Sequence, residues 1–244
     1  MNEPLPDPRS VRTLLLDAGG VLVRPSFARV AQALVEQGVA ARPEALAAAE
    51  VLARKDMDRL PSAGRSTDEE RAFLYFDMVL DRAGIARSAS TDKALRALKR
   101  WHDEHNLWED VLAGVRSSLE RLRQAGLRMA VVSNANGTVD RLFERLELAR
   151  FFHAIVDSQV EGIEKPDPRL FELALARAGG ERATALHVGD LYHVDVAGAR
   201  AARLRVVLVD EGGLYPGADC PRVRSLAELA AHLVPEGGAG RHFC

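Results

Sequence analysis

After residue 111 the sequence alternates between short apolar runs and stretches with the apolar spacing of amphipathic helices. The apolar runs are rich in Val, Leu and Ala, and they lie at residues 128–133, 154–156, 185–188 and 205–209. Continuously apolar strands that alternate with helices are typical of a parallel sheet covered on both faces. The pattern therefore predicts an α/β fold.

An earlier apolar run, residues 11–16, is followed by a long stretch of different character. Across this stretch apolar side chains recur at helical spacing, with glycines and prolines where helices would end and begin. Because a lone strand cannot form a domain, we interpret the helical stretch as an insertion after the first strand of the sheet. This interpretation predicts a core at residues 9–23 and 111–235, an inserted all-helical domain at 24–110, and a disordered tail at 236–244.

The composition excludes several classes of function. Hydrophobic residues make up 47% of the chain and the net charge is −2, so nothing indicates a nucleic-acid partner or a membrane surface. No apolar run is long enough to cross a bilayer, and the acidic, proline-rich start does not resemble a secretion signal. Two cysteines, Cys220 and Cys244, cannot form a disulfide framework, which favours a cytoplasmic protein.

Polar residues follow three of the predicted strands. Asp17 comes after the first, Ser133 and Asn134 after the run at 128–133, and Asp190 after the run at 185–188. Ligands bind at the carboxyl edge of open parallel sheets. We therefore expect these side chains to meet at one edge and to form the functional site.

This set of residues suits phosphoryl transfer. A carboxylate can attack phosphorus and form an aspartyl-phosphate, provided that a cation offsets its repulsion from the anionic substrate. Mg²⁺ prefers oxygen ligands, which Asp17 and Asp190 would supply. Ser133 could hold phosphate oxygens, and Lys165 would offset the charge of Asp17 and the phosphate. Asp195 could orient a metal-bound water or support Asp190.

Taken singly, each residue also has a structural explanation. Asp17 could be a turn former, Asp190 could cap the following helix, and Asp195 could favour the dipole of that helix. Lys165, beside a proline, could be a solvated loop residue. The functional interpretation depends on their occurring together.

Four motifs in order resemble those of the haloacid dehalogenase-like hydrolases. They are Leu-Asp-Ala-Gly-Gly-Val-Leu at 16–22, Val-Val-Ser-Asn at 131–134, Lys-Pro-Asp-Pro at 165–168, and Gly-Asp with a later Asp and Gly-Ala within 189–199. The resemblance covers roughly residues 11–210. It implies a Rossmann-like doubly wound core, with the helical insertion acting as a cap of the first type.

The resemblance also implies roles for the site residues. Asp17 would be the nucleophile and a magnesium ligand, with the backbone carbonyl of Gly19 and Asp190 as further ligands. Ser133, Asn134 and Lys165 would bind phosphate. The function implied is a magnesium-dependent phosphatase acting on a small phosphorylated metabolite, and the sequence carries no signal for the oligomeric state.

One position departs from the family pattern. Phosphatases of this family usually carry a second Asp two residues after the nucleophile, where it serves as acid and base, and this chain has Gly19 there. General acid–base help is typically worth ~10²–10⁴ in rate. Such an enzyme could be slow, could favour a good leaving group, or could use another acid. His193 is the candidate side chain, and a bulk or metal-bound water is an alternative.

Gly19 keeps other functions open. A 2-haloacid dehalogenase of the same fold needs no magnesium, but Asp190 and Asp195 argue against it. Phosphonate cleavage would require a cap lysine with no distinguishing surroundings in this sequence, and a phosphomutase would need the missing second Asp. A non-catalytic protein that binds a phosphorylated ligand or partner is the alternative from another class.

Overall fold

A computed structural model describes residues 3–59 and 68–235, with residues 68–73 described in their backbone alone. The predicted disordered tail at 236–244 lies outside the described residues. Contacts between Cα atoms divide the chain into two compact units, Met1–Arg24 with Val111–Cys244, and Pro25–Asp110. No helix in the described part of the chain is long and apolar enough to span a membrane.

A six-stranded parallel sheet forms the centre of the first unit. Its order is β5-β4-β1-β6-β7-β8, so the chain moves outward from β1 first in one direction and then in the other. This confirms the predicted doubly wound α/β fold. The strands are β1 Thr13–Leu16, β4 Arg128–Ser133, β5 Ala154–Asp157, β6 Ala185–Gly189, β7 Arg205–Val209 and β8 Arg222–Val223, and a separate pair consists of β2 Val23–Arg24 and β3 Asp110–Val111.

The apolar runs form these strands because both faces of the sheet are covered. Leu14, Leu15 and Leu16 are all fully buried. A strand with only one covered face would bury every second side chain instead. Leu15 belongs to a core with Val132 and Phe171, and Phe171 lies on one of the covering helices. The helices of this unit are α5 Val115–Gln124, α6 Val139–Arg145, α7 Ser158–Glu161, α8 Pro168–Arg177, α9 Ala197–Ala201 and α10 Leu226–Leu233.

The second unit is helical. Its helices are α1 Phe27–Glu36, α2 Pro43–Asp58, α3 Asp68–Arg82 and α4 Ala89–His105. Their apolar faces pack into a separate core that includes Leu34, Leu46, Val79 and Leu98. The unit therefore has a hydrophobic core of its own.

Two predicted helices differ from the structure. The apolar spacing after the run at 128–133 predicts a helix over 139–148, but the helix ends at Arg145, because Glu147 adopts a φ of 55° and Leu148 N donates back to Phe143 O. The apolar spacing after the run at 185–188 predicts a helix over 194–204, but this segment begins as a π-helical turn, Tyr192–Val196, and continues as α9. The strands β2, β3 and β8 are two residues long, too short to give a periodic signal.

Candidate active site

The nucleophile predicted from the sequence, Asp17, follows β1 directly. Its backbone N–H donates to Val188 O at 2.9 Å, which continues the pairing of β1 with β6 beyond the strand itself. The chain then turns sharply, since Leu22 N and Val23 N both donate to Ala18 O. The carboxylate of Asp17 is therefore held at the carboxyl edge of the sheet.

Lys165 is buried beside Asp17, not solvated in a loop. Its ammonium donates to Asp17 Oδ1 at 2.8 Å and to Asp195 Oδ1 at 2.7 Å, and its side chain is only 2% exposed. A buried ammonium needs such partners, because an uncompensated charge in the interior is costly. Lys165 thus joins Asp17 to Asp195.

Asn134 positions Lys165 through the backbone. Its side-chain Oδ1 accepts from Lys165 N at 2.7 Å, and its Nδ2 donates to Lys165 O at 2.9 Å. The amide side chain is thereby engaged with protein, so phosphate contact by Asn134 would use its backbone N–H. Ser133, which precedes it, is buried at the end of β4.

Asp195 is fully buried and accepts hydrogen bonds at both carboxylate oxygens. Oδ1 contacts Lys165 Nζ and, at 3.0 Å, His187 Nε2, while Oδ2 accepts from the backbone N–H groups of Asp190 and Leu191. The carboxylate therefore fixes both Lys165 and the start of the loop that carries Asp190.

Gly189 makes room for this carboxylate. A Cβ at residue 189 would lie 2.2 Å from Asp195 Cγ, a distance that no real side chain tolerates. His187 and residue 189 share a face of β6, because side chains alternate along a strand. Asp195 thus packs over the glycine and against the histidine, on the face that also presents Asp17.

Three carboxylates converge at this edge. One oxygen from each of Asp17, Asp190 and Asp195 lies within 4.8 Å of the others, and all three residues are buried. Hard oxygen donors at this spacing suit a divalent cation such as Mg²⁺. The cluster combines three acidic groups with the single ammonium of Lys165, so an additional cation would offset the remaining charge.

The surroundings shift the pKa values in different directions. Burial raises the pKa of Asp17, although Lys165 opposes this effect. Burial also acts against ionisation of Asp195, but Lys165 and His187 outweigh it and hold the pKa of Asp195 below its usual range. Burial would lower the pKa of Lys165, yet Asp17 and Asp195 raise it above its ordinary value. The two carboxylates thus favour the charged ammonium form of Lys165.

The two remaining predicted residues lie in different settings. Gly19 is partly exposed in the turn after Asp17 and forms an isolated β-bridge with Val23. His193 occupies an exposed position in the π-helical turn, with its ring edge-to-face against Tyr192 at 5.4 Å.

Sequence reasoning missed three residues near this edge. Asp157 ends β5, and its carboxylate accepts from Gly137 N and Gln159 N, so it holds the loop after β4 against β5. Asp210 follows β7 and accepts from Leu214 N and Arg222. Their place after apolar runs was the available signal. His187 gave no such signal, because it lies inside a run that otherwise reads as a buried strand.

The chain matches the model of one known protein family. The haloacid dehalogenase-like hydrolase model matches residues 11–203. Haloacid dehalogenase-like hydrolase domain-containing protein 3 from Mus musculus is 40% identical over 131 residues, which span 52% of this chain and 51% of the relative. The Homo sapiens protein is 31% identical over 191 residues, which span 75% and 74%.

Other similarities extend to a phosphatase and to a solved structure. Ribulose-1,5-bisphosphate 5-phosphatase from Halopiger xanaduensis is 30% identical over 159 residues, 64% of each chain. The crystal structure of the HAD-hydrolase YfnB from Bacillus subtilis bound to magnesium aligns with a TM-score of 0.70 at 21% identity, covering 92% of this chain and 99% of that one. The Bos taurus and Mus musculus proteins are matched over only about half of their lengths.

Proposed function

This chain belongs to the haloacid dehalogenase-like hydrolases, and we propose that it is a magnesium-dependent phosphatase that hydrolyses a small phosphorylated metabolite through an aspartyl-phosphate. One observation carries the proposal: the buried ammonium of Lys165 lies 2.8 Å from Asp17 Oδ1, within a cluster of three converging carboxylates. Because the ammonium offsets the negative charge of the carboxylate, the carboxylate can approach a phosphate dianion that would otherwise repel it.

Asp17 would act as the nucleophile. One carboxylate oxygen attacks phosphorus while the bond to the leaving oxygen breaks, and the phosphoryl group is transferred to Asp17. Water then attacks the same phosphorus, inorganic phosphate leaves, and the carboxylate is regenerated. Ser133, the backbone N–H of Asn134 and Lys165 would hold the phosphoryl oxygens during both displacements, because catalysis of this kind consists largely of positioning and charge stabilisation.

The cluster fits magnesium by its donor set. Asp17, Asp190 and the backbone carbonyl of Gly19 would hold the ion, while Asp195, whose two oxygens already accept protein donors, would support Lys165 and the Asp190 loop. A bound Mg²⁺ supplies Lewis-acid stabilisation of charge on the phosphoryl oxygens.

The helical unit Pro25–Asp110 would serve as the cap, with residues 24–110 as its predicted bounds. Caps close over small substrates and exclude water during transfer. The phosphatase relatives, which act on small phosphorylated sugars by their names, support a substrate of this class. The composition that favours a cytoplasmic protein is consistent with such a substrate.

Metal removal tests the proposal directly. We expect kcat/KM for p-nitrophenyl phosphate to fall about 100-fold in EDTA and to return on addition of Mg²⁺, since a catalytic divalent ion contributes several kcal/mol of charge stabilisation. EDTA already saturated with Mg²⁺ is the control. Full turnover in EDTA would contradict the dependence on magnesium, whereas halide release from 2-chloropropionate without metal would favour a dehalogenase.

Gly19 supports one alternative, a weakly active or non-catalytic protein that binds a phosphorylated ligand. A non-catalytic chain would bind phosphate and Mg²⁺ but would fail to turn over any ester, and a weakly active one would turn over only activated aryl phosphates. Turnover across a panel of phosphorylated metabolites therefore separates the two functions.

Placing an acid at residue 19 should show how much catalytic rate is lost because this position is a glycine. The backbone of Gly19 lies outside the left-handed region, unlike Gly20 with its φ of 71°, so a side chain at residue 19 does not require a strained backbone. We expect Gly19→Asp to raise kcat/KM about 100-fold for phenyl phosphate, whose leaving group needs a proton, and to change it little for p-nitrophenyl phosphate.

Gly19→Asn is the matched control, because it has the same size and no acidic proton. An equal gain in both variants would contradict the role of a proton donor at this position. An unchanged rate in Gly19→Asp would indicate that another group, such as His193 or a water, already protonates the leaving group.

A further inference from the structure

His187 is a buried polar residue in the middle of the sheet that the proposed chemistry does not use. It lies in β6, paired in register with Leu15 on one side and Val206 on the other, and its side chain is 0% exposed. An apolar residue would fill this place at lower cost, because a buried polar group needs a partner. The contacts of the ring should therefore explain why a histidine occupies this buried position.

Only one ring nitrogen of His187 has a hydrogen-bond partner among the described residues. Nε2 lies 3.0 Å from Asp195 Oδ1, while Nδ1 is buried without a partner. Since Oδ1 is a carboxylate acceptor, Nε2 must carry the proton and donate it. A second N–H group at the buried Nδ1 would have no acceptor among the described residues and would be costly to bury.

The ring is held in this orientation by packing. The centroids of the Phe171 and His187 rings lie 4.8 Å apart and the ring planes meet at 89°, which is an edge-to-face contact. Phe171 is itself confined, because a Cβ on Gly198 would lie 2.6 Å from its Cε2 atom. The packing of Phe171 against the His187 ring therefore keeps the Nε2 donor directed towards Asp195.

The same carboxylate oxygen also accepts from Lys165. Asp195 Oδ1 therefore has two donors, His187 Nε2 and Lys165 Nζ, and Lys165 Nζ in turn contacts Asp17 Oδ1. Without His187, Oδ1 would turn towards Lys165 and draw the ammonium away from the nucleophile. Buried hydrogen-bond chains of this kind are stabilised when every member is satisfied.

We propose that His187 is a positioning residue for phosphoryl transfer, which holds Asp195 so that Lys165 stays against Asp17. This inference rests on the proposed function. His187 touches neither the substrate nor the metal ligands assigned above, and it acts through two intervening side chains.

Two substitutions separate positioning from packing. His187→Met fills a similar volume without a donor, and His187→Gln can place an N–H close to the position of Nε2. We expect kcat/KM for p-nitrophenyl phosphate with Mg²⁺ to fall about 10-fold in His187→Met, as removal of outer-shell partners commonly does. We expect His187→Gln to remain within about threefold of the wild type. Thermal unfolding of both variants measures the packing cost separately.

Equal losses in the two variants, or wild-type turnover in His187→Met, would overturn the proposal. A second measurement on the wild-type protein is independent of turnover. Long-range ¹H–¹⁵N NMR spectra should show the His187 proton on Nε2, and a proton on Nδ1 alone would remove the donor and overturn the inference. Inert wild-type protein with the proton on Nε2 would contradict the phosphatase function and leave the contact with Asp195 intact.

Discussion

Asp17→Asn is expected to lower kcat for any phosphate ester by on the order of 10⁴-fold or more, the scale found when a catalytic nucleophile is removed. An amide oxygen is a poor nucleophile and carries no charge to bind a metal. The Asn side chain can still accept from Lys165 in place of Asp17 Oδ1, so the fold and the position of the lysine should survive. The measurement is kcat with saturating Mg²⁺, accompanied by a thermal unfolding curve.

Asp103→Asn is the matched control. Asp103 undergoes the same chemical change on the helical unit, where it is half exposed and paired with Lys99. An exposed pair of this kind contributes little, so kcat should stay within about twofold of the wild type. If Asp17→Asn retained a tenth or more of the wild-type kcat, an aspartyl-phosphate on this residue would be ruled out.

Gly189→Ala is expected to lower kcat/KM on the order of 10³-fold and the free energy of unfolding by about 3 kcal/mol, the upper range for overpacked interiors. The added methyl would lie 2.2 Å from Asp195 Cγ and 2.6 Å from its Oδ1. Asp195 must then shift, and both Lys165 and the Asp190 loop depend on it. A displacement of about 1 Å in such groups can cost about 100-fold in rate on its own.

The control for this variant is Gly217→Ala. Nothing lies within 4 Å of a Cβ at residue 217, and the backbone there is outside the left-handed region. We expect this substitution to change the free energy of unfolding by less than about 0.5 kcal/mol. Wild-type stability and activity in Gly189→Ala would show that Asp195 does not pack over Gly189 as described.

The order of helices and strands could be predicted from the sequence because the pattern of apolar residues follows which faces of each element are buried. A strand such as Arg205–Val209, apolar on both faces, has few places to lie except inside a parallel sheet. The end of α6 could not be predicted, since Glu147 adopts a left-handed backbone that a non-glycine residue seldom signals. The π-helical start of the segment at Tyr192 likewise leaves the apolar spacing nearly unchanged.

The residues of the candidate site could be predicted from the sequence, but the hydrogen bonds between them could not. Strand ends place Asp17, Ser133 and Asp190 at one edge of the sheet whatever the details of packing. The contacts of Lys165, which link the site together, join residues 30 or more positions apart in the chain. The side chain of Asn134 forms hydrogen bonds with the backbone of Lys165. The ammonium of Lys165 in turn donates to Asp17, which is 148 positions earlier in the chain. No local pattern encodes such pairings.

The claim at the centre of this account is that a divalent ion and a phosphoryl group meet at the carboxylate of Asp17. A crystal grown with Mg²⁺ and beryllofluoride, which mimics a phosphoryl group on an aspartate, tests this most directly. The account predicts beryllium bonded to one Asp17 oxygen, with Mg²⁺ held by Asp17, the Gly19 carbonyl and Asp190. Beryllofluoride bound away from Asp17, or Mg²⁺ bound without Asp190, would contradict it.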